Sequence, residues 1–120
     1  MVGIKMVLLK KQKPFHWTSH AKSKMMFYRL SESRIRRALH SPNRIEEGIA
    51  PDTIAIMQPL TIKGKMENGK RKEVWSQEIW VMIEETKKER RIISVWRYPG
   101  MTKAGEPLPE EILRGITELS

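Results

Sequence analysis

The sequence predicts an α+β fold, an antiparallel sheet packed against an N-terminal helical hairpin. Three observations carry that expectation. Two short segments between residues 18 and 42 combine helix-capping residues with apolar stripes at helical spacing. The dipeptide Asn68-Gly69 is flanked by alternating apolar arms, the pattern of a β-hairpin. Residues 90–98 supply a further apolar strand. The expected element order is β-α-α-β-β-β-α.

Residues 2–11 read as the first strand. Val2, Ile4, Met6 and Leu8 alternate with Gly3, Lys5 and Val7, and Lys13-Pro14 ends the run. Thr18 or Ser19 suits the cap of a helix reaching about Arg29, whose apolar stripe is Ala21, Met25 and Tyr28. Ser31 caps a second helix, with Leu30 and Ile35 as a hydrophobic staple. Ile35, Ala38 and Leu39 form its buried stripe, and Pro42 forces its end.

Asn68-Gly69 fits a type I′ turn, which needs positive φ at both central residues. That turn sets a register in which facing residues have numbers that sum to 137. Ile54 then meets Ile83, Ile56 meets Val81, and Ile62 meets Trp75, so both apolar sets fall on one face. Pro59 marks a bulge or a break in the long strand 53–66. A third strand, 90–98, follows the polar turn near Lys87-Lys88. An even loop places Ile92 opposite Ile83 and Arg97 opposite Glu78. Pro99-Gly100 closes the sheet. Pro109, Glu110 and Glu111 open a final helix over about 109–119 with Ile112, Leu113, Ile116 and Leu119 as its stripe.

At 120 residues the chain reads as one domain spanning 1–120. It has no cysteine, which excludes disulfides and thiolate metal sites. His16 and His20 have a metal-capable spacing but lack a third ligand, so neither a metal nor a cofactor is expected. No apolar run is long enough for a membrane span, and a cytoplasmic protein is the expectation. Charge is unevenly spread. Residues 1–42 hold ten Lys and Arg against the single acid Glu32, whereas the thirteen basic and thirteen acidic side chains after them cancel. A surface that meets polyanions segregates charge in this way, which points to a nucleic-acid partner.

The words Trp17-Thr18-Ser19-His20-Ala21, Arg29-Leu30-Ser31-Glu32, Ala38-Leu39-His40-Ser41-Pro42 and Ile92-Ile93-Ser94-Val95-Trp96-Arg97 recur in a familiar arrangement. The chain thereby resembles an uncharacterised domain family that begins with "T-x-H-A", continues "R-x-[IL]-S-E" and ends in a "[IV]-[IV]-T-V-[YW]" strand. That family is similar to the RelE, ParE and BrnT toxins of toxin–antitoxin modules. The resemblance covers a core of roughly residues 15–98 and implies a RelE-like sheet cradling the helices. It implies an endoribonuclease of the mRNA interferase type, acting on RNA or ribosome-bound mRNA without metal. An acidic antitoxin protein and a homodimer are the partners it suggests. ParE-type relatives act on gyrase, so kinship of fold does not fix function.

Metal-independent cleavage needs a base at the ribose 2′-hydroxyl, an acid at the leaving oxygen and fixed cations for the phosphorane. His20 is the candidate base or acid and matches the His of the "T-x-H-A" segment; its structural alternative is packing in the first helical turn. RelE-like enzymes place catalytic cationic and aromatic groups near the end of the last core strand, which implies roles for Arg97 and Tyr98. Arg97 would clamp a phosphate, against the alternative of an ion pair with Glu78. Tyr98 would stack or donate a proton, against a place in the core. Arg34, Arg37 and His40 on the second helix, with Lys24 on the first, would hold RNA phosphates, against a solvated helix face. Trp80 is a stacking candidate that reads more simply as core. Two further readings use the same residues: a non-catalytic nucleic-acid-binding module, and a protein-interaction module whose basic first third meets an acidic partner.

Overall fold

The computed structural model describes residues 13–47, 52–103 and 105–107. The strand expected over 2–11 and the helix expected over 109–119 lie outside them. The described elements are β1 (Phe15–Trp17), α1 (Ser19–Tyr28), α2 (Glu32–His40), β2 (Arg44–Glu47), β3 (Thr53–Pro59), β4 (Lys63–Glu67), β5 (Lys70–Val74), β6 (Glu78–Glu85) and β7 (Arg90–Tyr98). Five strands form one sheet in the order β1-β7-β6-β3-β2, while β4 and β5 pair only with each other. The fold is α+β. Its order departs from the expected one: six strands follow the helices instead of three, and a short strand adjoins α1 directly.

The helices follow their caps. Thr18 accepts a hydrogen bond from the Ala21 amide at 3.1 Å and opens α1. Ser31 does the same for α2 through the Arg34 amide, also at 3.1 Å. Leu30 and Ile35 are buried together, as a staple requires. α1 lies over β7, and α2 over β3 and β6. Between helices and sheet, Ala21, Met25, Ile35 and Leu39 pack against Ile54, Ile56, Val81, Ile83, Ile92 and Val95. The other face of the sheet carries a second buried cluster of Ala55, Met57, Trp80, Met82 and Trp96.

The hairpin keeps the expected register on both sides of a break. Ile54 pairs with Ile83 and Ile56 with Val81 in the sheet, and Glu67 pairs with Lys70 at the turn. Asn68 and Gly69 have φ of 52° and 77°, the left-handed pair that a type I′ turn demands. Ladder pairing stops after Pro59 and resumes at Lys63, so the expected pair Ile62–Trp75 does not form. The arms stay aligned across the gap because the Leu60 amide donates to the Gln77 carbonyl at 3.1 Å. The long strand expected over 53–66 is therefore two strands.

β7 corrects a second expectation. Ile83 faces Ile92 as predicted, but Met82 faces Ser94, which leaves Ile93 as an extra residue in a β-bulge. Beyond the bulge every pairing slips by one. Arg97 faces Ile79, and Tyr98 faces Glu78. Because strand side chains alternate in direction, one inserted residue moves Arg97 to the helix side and Tyr98 to the opposite side. The expected pair of Arg97 with Glu78 does not form.

Thr18 ties α1 to this bulge. Its hydroxyl donates to the Ile92 carbonyl at 2.9 Å, with the Ile93 carbonyl at 3.2 Å, while its amide reaches Ile92 at 3.2 Å. Thr18→Ala removes the helix cap and the side-chain anchor together. It is expected to cost about 1–2 kcal/mol, measured as a shift in the chemical-denaturation midpoint at unchanged slope. A change below about 0.3 kcal/mol would show that the anchor contributes nothing.

Candidate nucleic-acid interface

One end of the sheet gathers the last turn of α1, the body of α2, the end of β3, the start of β6 and the end of β7. The bulge delivers Arg97 to this place. Its Nε donates to the Tyr28 carbonyl at 2.8 Å, and its Nη1 reaches Gln77 Oε1 at 3.4 Å. Arg34 comes from the first half of α2. Its Nη1 donates to Gln58 Oε1, and its Nη2 to the Pro59 carbonyl at 3.0 Å. Gln58 also binds the end of α2, donating from Nε2 to the carbonyls of Arg37 at 3.3 Å and Ser41 at 3.1 Å. A single glutamine thus fixes the helix bearing Arg34 and Arg37 against the strand beneath it.

Partial burial, followed by the neighbouring charges of Arg37 and Arg97, lowers the Arg34 pKa below the usual arginine value. Among the described residues, Arg34, Arg37 and Arg97 form no ion pair with a carboxylate. The other end of the same strands behaves differently. There Lys13 and Arg90 both pair with Glu85, and Arg91 pairs with Glu84 at 2.6 Å. Arg91 and Arg97 lie six steps apart along β7, about 20 Å at strand spacing. Cations are neutralised at one end and left open at the other.

The remaining predicted residues fall in several places. Arg37 is exposed one turn beyond Arg34, and His40 is exposed one turn beyond Arg37, extending the α2 row. Lys24 is partly buried on α1, one turn before Tyr28. His20 is exposed in the first turn of α1. The rise of eight helical residues puts it about 12 Å along the axis from Tyr28, whose carbonyl holds Arg97. Tyr98 is partly buried and packs with the tryptophan cluster on the opposite face. The three residues expected to catalyse RNA cleavage, His20, Arg97 and Tyr98, are thus set apart by a helix length and by the sheet itself. The reason is local: the bulge turns Arg97 and Tyr98 to opposite sides from those an unbroken strand would give.

One further expectation is met and another is corrected. Trp80 is fully buried, stacks on Trp96 with ring centroids 6.2 Å apart, and donates to Glu78 at 3.0 Å. It is core and offers no face to a base. Nor do the described basic residues of the first third form one surface. Arg36 lies over Phe15 and Trp17, 4.8 and 5.6 Å from their ring centres, and Lys13 is paired at the far end. Residues Lys5, Lys10 and Lys11 lie outside the described residues. Gln58 and Gln77, which position the arginines, carry no sequence signal, since an isolated glutamine near a strand end is ordinary.

No family model matches the chain, and no curated protein or solved structure matches it. No helix among the described residues is long and apolar enough to cross a membrane.

Proposed function

We propose that this chain is a non-catalytic nucleic-acid-binding module that holds phosphates at Arg34, Arg37 and Arg97. One observation carries the reading: α2 and β7 deliver Arg34 and Arg97 to the same junction of the sheet, Arg34 on the Pro59 carbonyl and Arg97 on Gln77, beside exposed Arg37, and none of the three pairs with a carboxylate among the described residues. Such a group costs stability through repulsion, and a bound polyanion relieves it. Guanidinium is also the side chain whose planar fork fits a phosphate in two hydrogen bonds. The RelE-like kinship is kept within this proposal on the sequence words alone, with RNA, free or on the ribosome, among its ligands. Cleavage is not included, because His20 and Tyr98 stand away from Arg97.

A fluorescence-anisotropy titration tests the proposal, using a labelled 20-nucleotide strand at several salt concentrations. Three phosphate contacts give a slope of about −2 in log affinity against log salt for a single strand. The strand is expected to stay intact in metal-free buffer throughout. Absence of binding at low salt, or an affinity indifferent to salt, would reject the module. Cleavage that disappears with His20→Ala would reject its non-catalytic character.

A further inference from the structure

The β4–β5 ribbon is unlike the rest of the molecule. Its strands pair only with each other, and every residue from Lys63 to Glu73 is exposed. Its register sets Lys63 against Val74, Lys65 against Lys72, and Glu67 against Lys70. Directly facing residues share a side, so Lys63, Lys65, Lys70 and Lys72 all project from one face with Glu67. The other face pairs Gly64 with Glu73 and Met66 with Arg71. There the Arg71 side chain lies along the ribbon: a Cβ at Gly64 would stand 2.8 Å from its Nε.

Two lysines directly across a ladder repel, and the ribbon gains little in return. Its ion pair, Lys72 with Glu67 at 3.3 Å, joins two largely exposed side chains. Lysines on an exposed ribbon also guard its edges against pairing with other chains, but that task needs no particular face. Here four of the five cations share one face. The foot of the ribbon is equally specific. Leu60 and Gln77 join its arms, and these neighbours are what the arginines grip: Arg34 holds the Pro59 carbonyl and Arg97 reaches the Gln77 amide.

We propose that this ribbon is an arm that enters the major groove of duplex DNA, with its lysine face toward the polyanion and the Arg34–Arg37–Arg97 group on the flanking backbone. The proposal rests on the nucleic-acid-binding reading above and names its ligand. Two strands about 4.8 Å apart, with side chains, fit a groove about 12 Å wide. Five residues of strand extend about 17 Å, enough to reach from the groove rim to its floor. The deep, narrow major groove of A-form RNA does not admit such an element.

The test compares a 20-base-pair DNA duplex, an RNA duplex of the same sequence and a 20-nucleotide single strand, each titrated with the full chain at fixed salt. The wild type is expected to bind the DNA duplex about tenfold or more tightly than the RNA duplex. Lys65→Ala/Lys72→Ala should weaken duplex DNA binding about tenfold and flatten its salt slope by about 2, with single-strand affinity held within about twofold. Lys63→Ala/Lys70→Ala, on the same face, should act likewise, which guards against a local folding defect in either pair. Bound protein should also shield guanine N7, a major-groove atom, from methylation. Equal affinity for the two duplexes, or duplex DNA binding unmoved by both lysine pairs, overturns the arm. In that case single-strand binding lost on Arg37→Ala/Arg97→Ala leaves the underlying reading standing. Failure of the wild type to bind any of the three rejects both.

Discussion

Glu78→Ala is expected to destabilise the protein by about 3 kcal/mol or more, because it strips the acceptor from three residues at once. Glu78 is fully buried on the face of the sheet away from the helices. Its Oε2 accepts from Trp75 Nε1 at 2.8 Å and from the Thr102 amide at 2.7 Å, while Oε1 accepts from Trp80 Nε1 at 3.0 Å. The Thr102 hydroxyl lies within 3.0 Å of both oxygens. Each of these partners is a donor. Two indole N–H groups, an amide and a hydroxyl would lose their partner where water does not reach easily. The loop after β7 would lose its tie to the sheet as well. Glu78→Gln separates chemistry from volume, since it keeps the shape but turns an amide donor toward other donors. It should cost about 1–3 kcal/mol. Denaturant titration read by tryptophan fluorescence and by far-ultraviolet dichroism checks both values. A loss below about 1 kcal/mol for the alanine variant would mean that the cluster is held by packing alone.

Reversing charge at the open end of the sheet should abolish most nucleic-acid affinity without a comparable effect at the closed end. Arg37→Glu and Arg97→Glu each remove a cation from a group of three and put a carboxylate beside the other two. Each is expected to weaken binding by about tenfold or more and to lower the steepness of the salt dependence by about 1. Arg91→Glu is the matched comparison. It alters the same net charge on the same strand, yet Arg91 is already engaged with Glu84 at the other end. Its effect on affinity should be within about twofold at physiological salt, where the Debye length of about 8 Å is short of the 20 Å between the two ends. Equal losses for all three variants would indicate that net charge alone attracts the nucleic acid and that no site exists.

Much of this architecture was legible in the chain, and the gaps have physical causes. Caps are local chemistry, so Thr18 and Ser31 mark the starts of α1 and α2, and Pro42 marks the end of α2 to within two residues. Asn68-Gly69 dictates its turn, and the turn dictates pairings as distant as Thr53 with Glu84. β1 and β2 escaped because three- and four-residue strands carry no periodicity; pairing with a neighbour creates them. The bulge at Ile93 was hidden for another reason. Ile92, Ile93 and Val95 are all strand formers, and nothing in an apolar run says which one is left unpaired. That single residue decides the site, since it brings Arg97 to Arg34 and takes Tyr98 away. The lysine face of the ribbon was present in the hairpin register, but balanced charge over the second half of the chain concealed it. Counting charge along a sequence cannot reveal which side of a ladder it falls on.

The arginine side-chain Nε–H resonances, followed during addition of a nucleic acid, report the binding site itself. Arg34, Arg37 and Arg97 are expected to shift together and saturate at one affinity, with Arg44, Arg90 and Arg91 still. Saturable binding in which Arg34 and Arg97 keep their free positions, while the paired arginines at the opposite end move, would place the nucleic acid elsewhere and rule this site out.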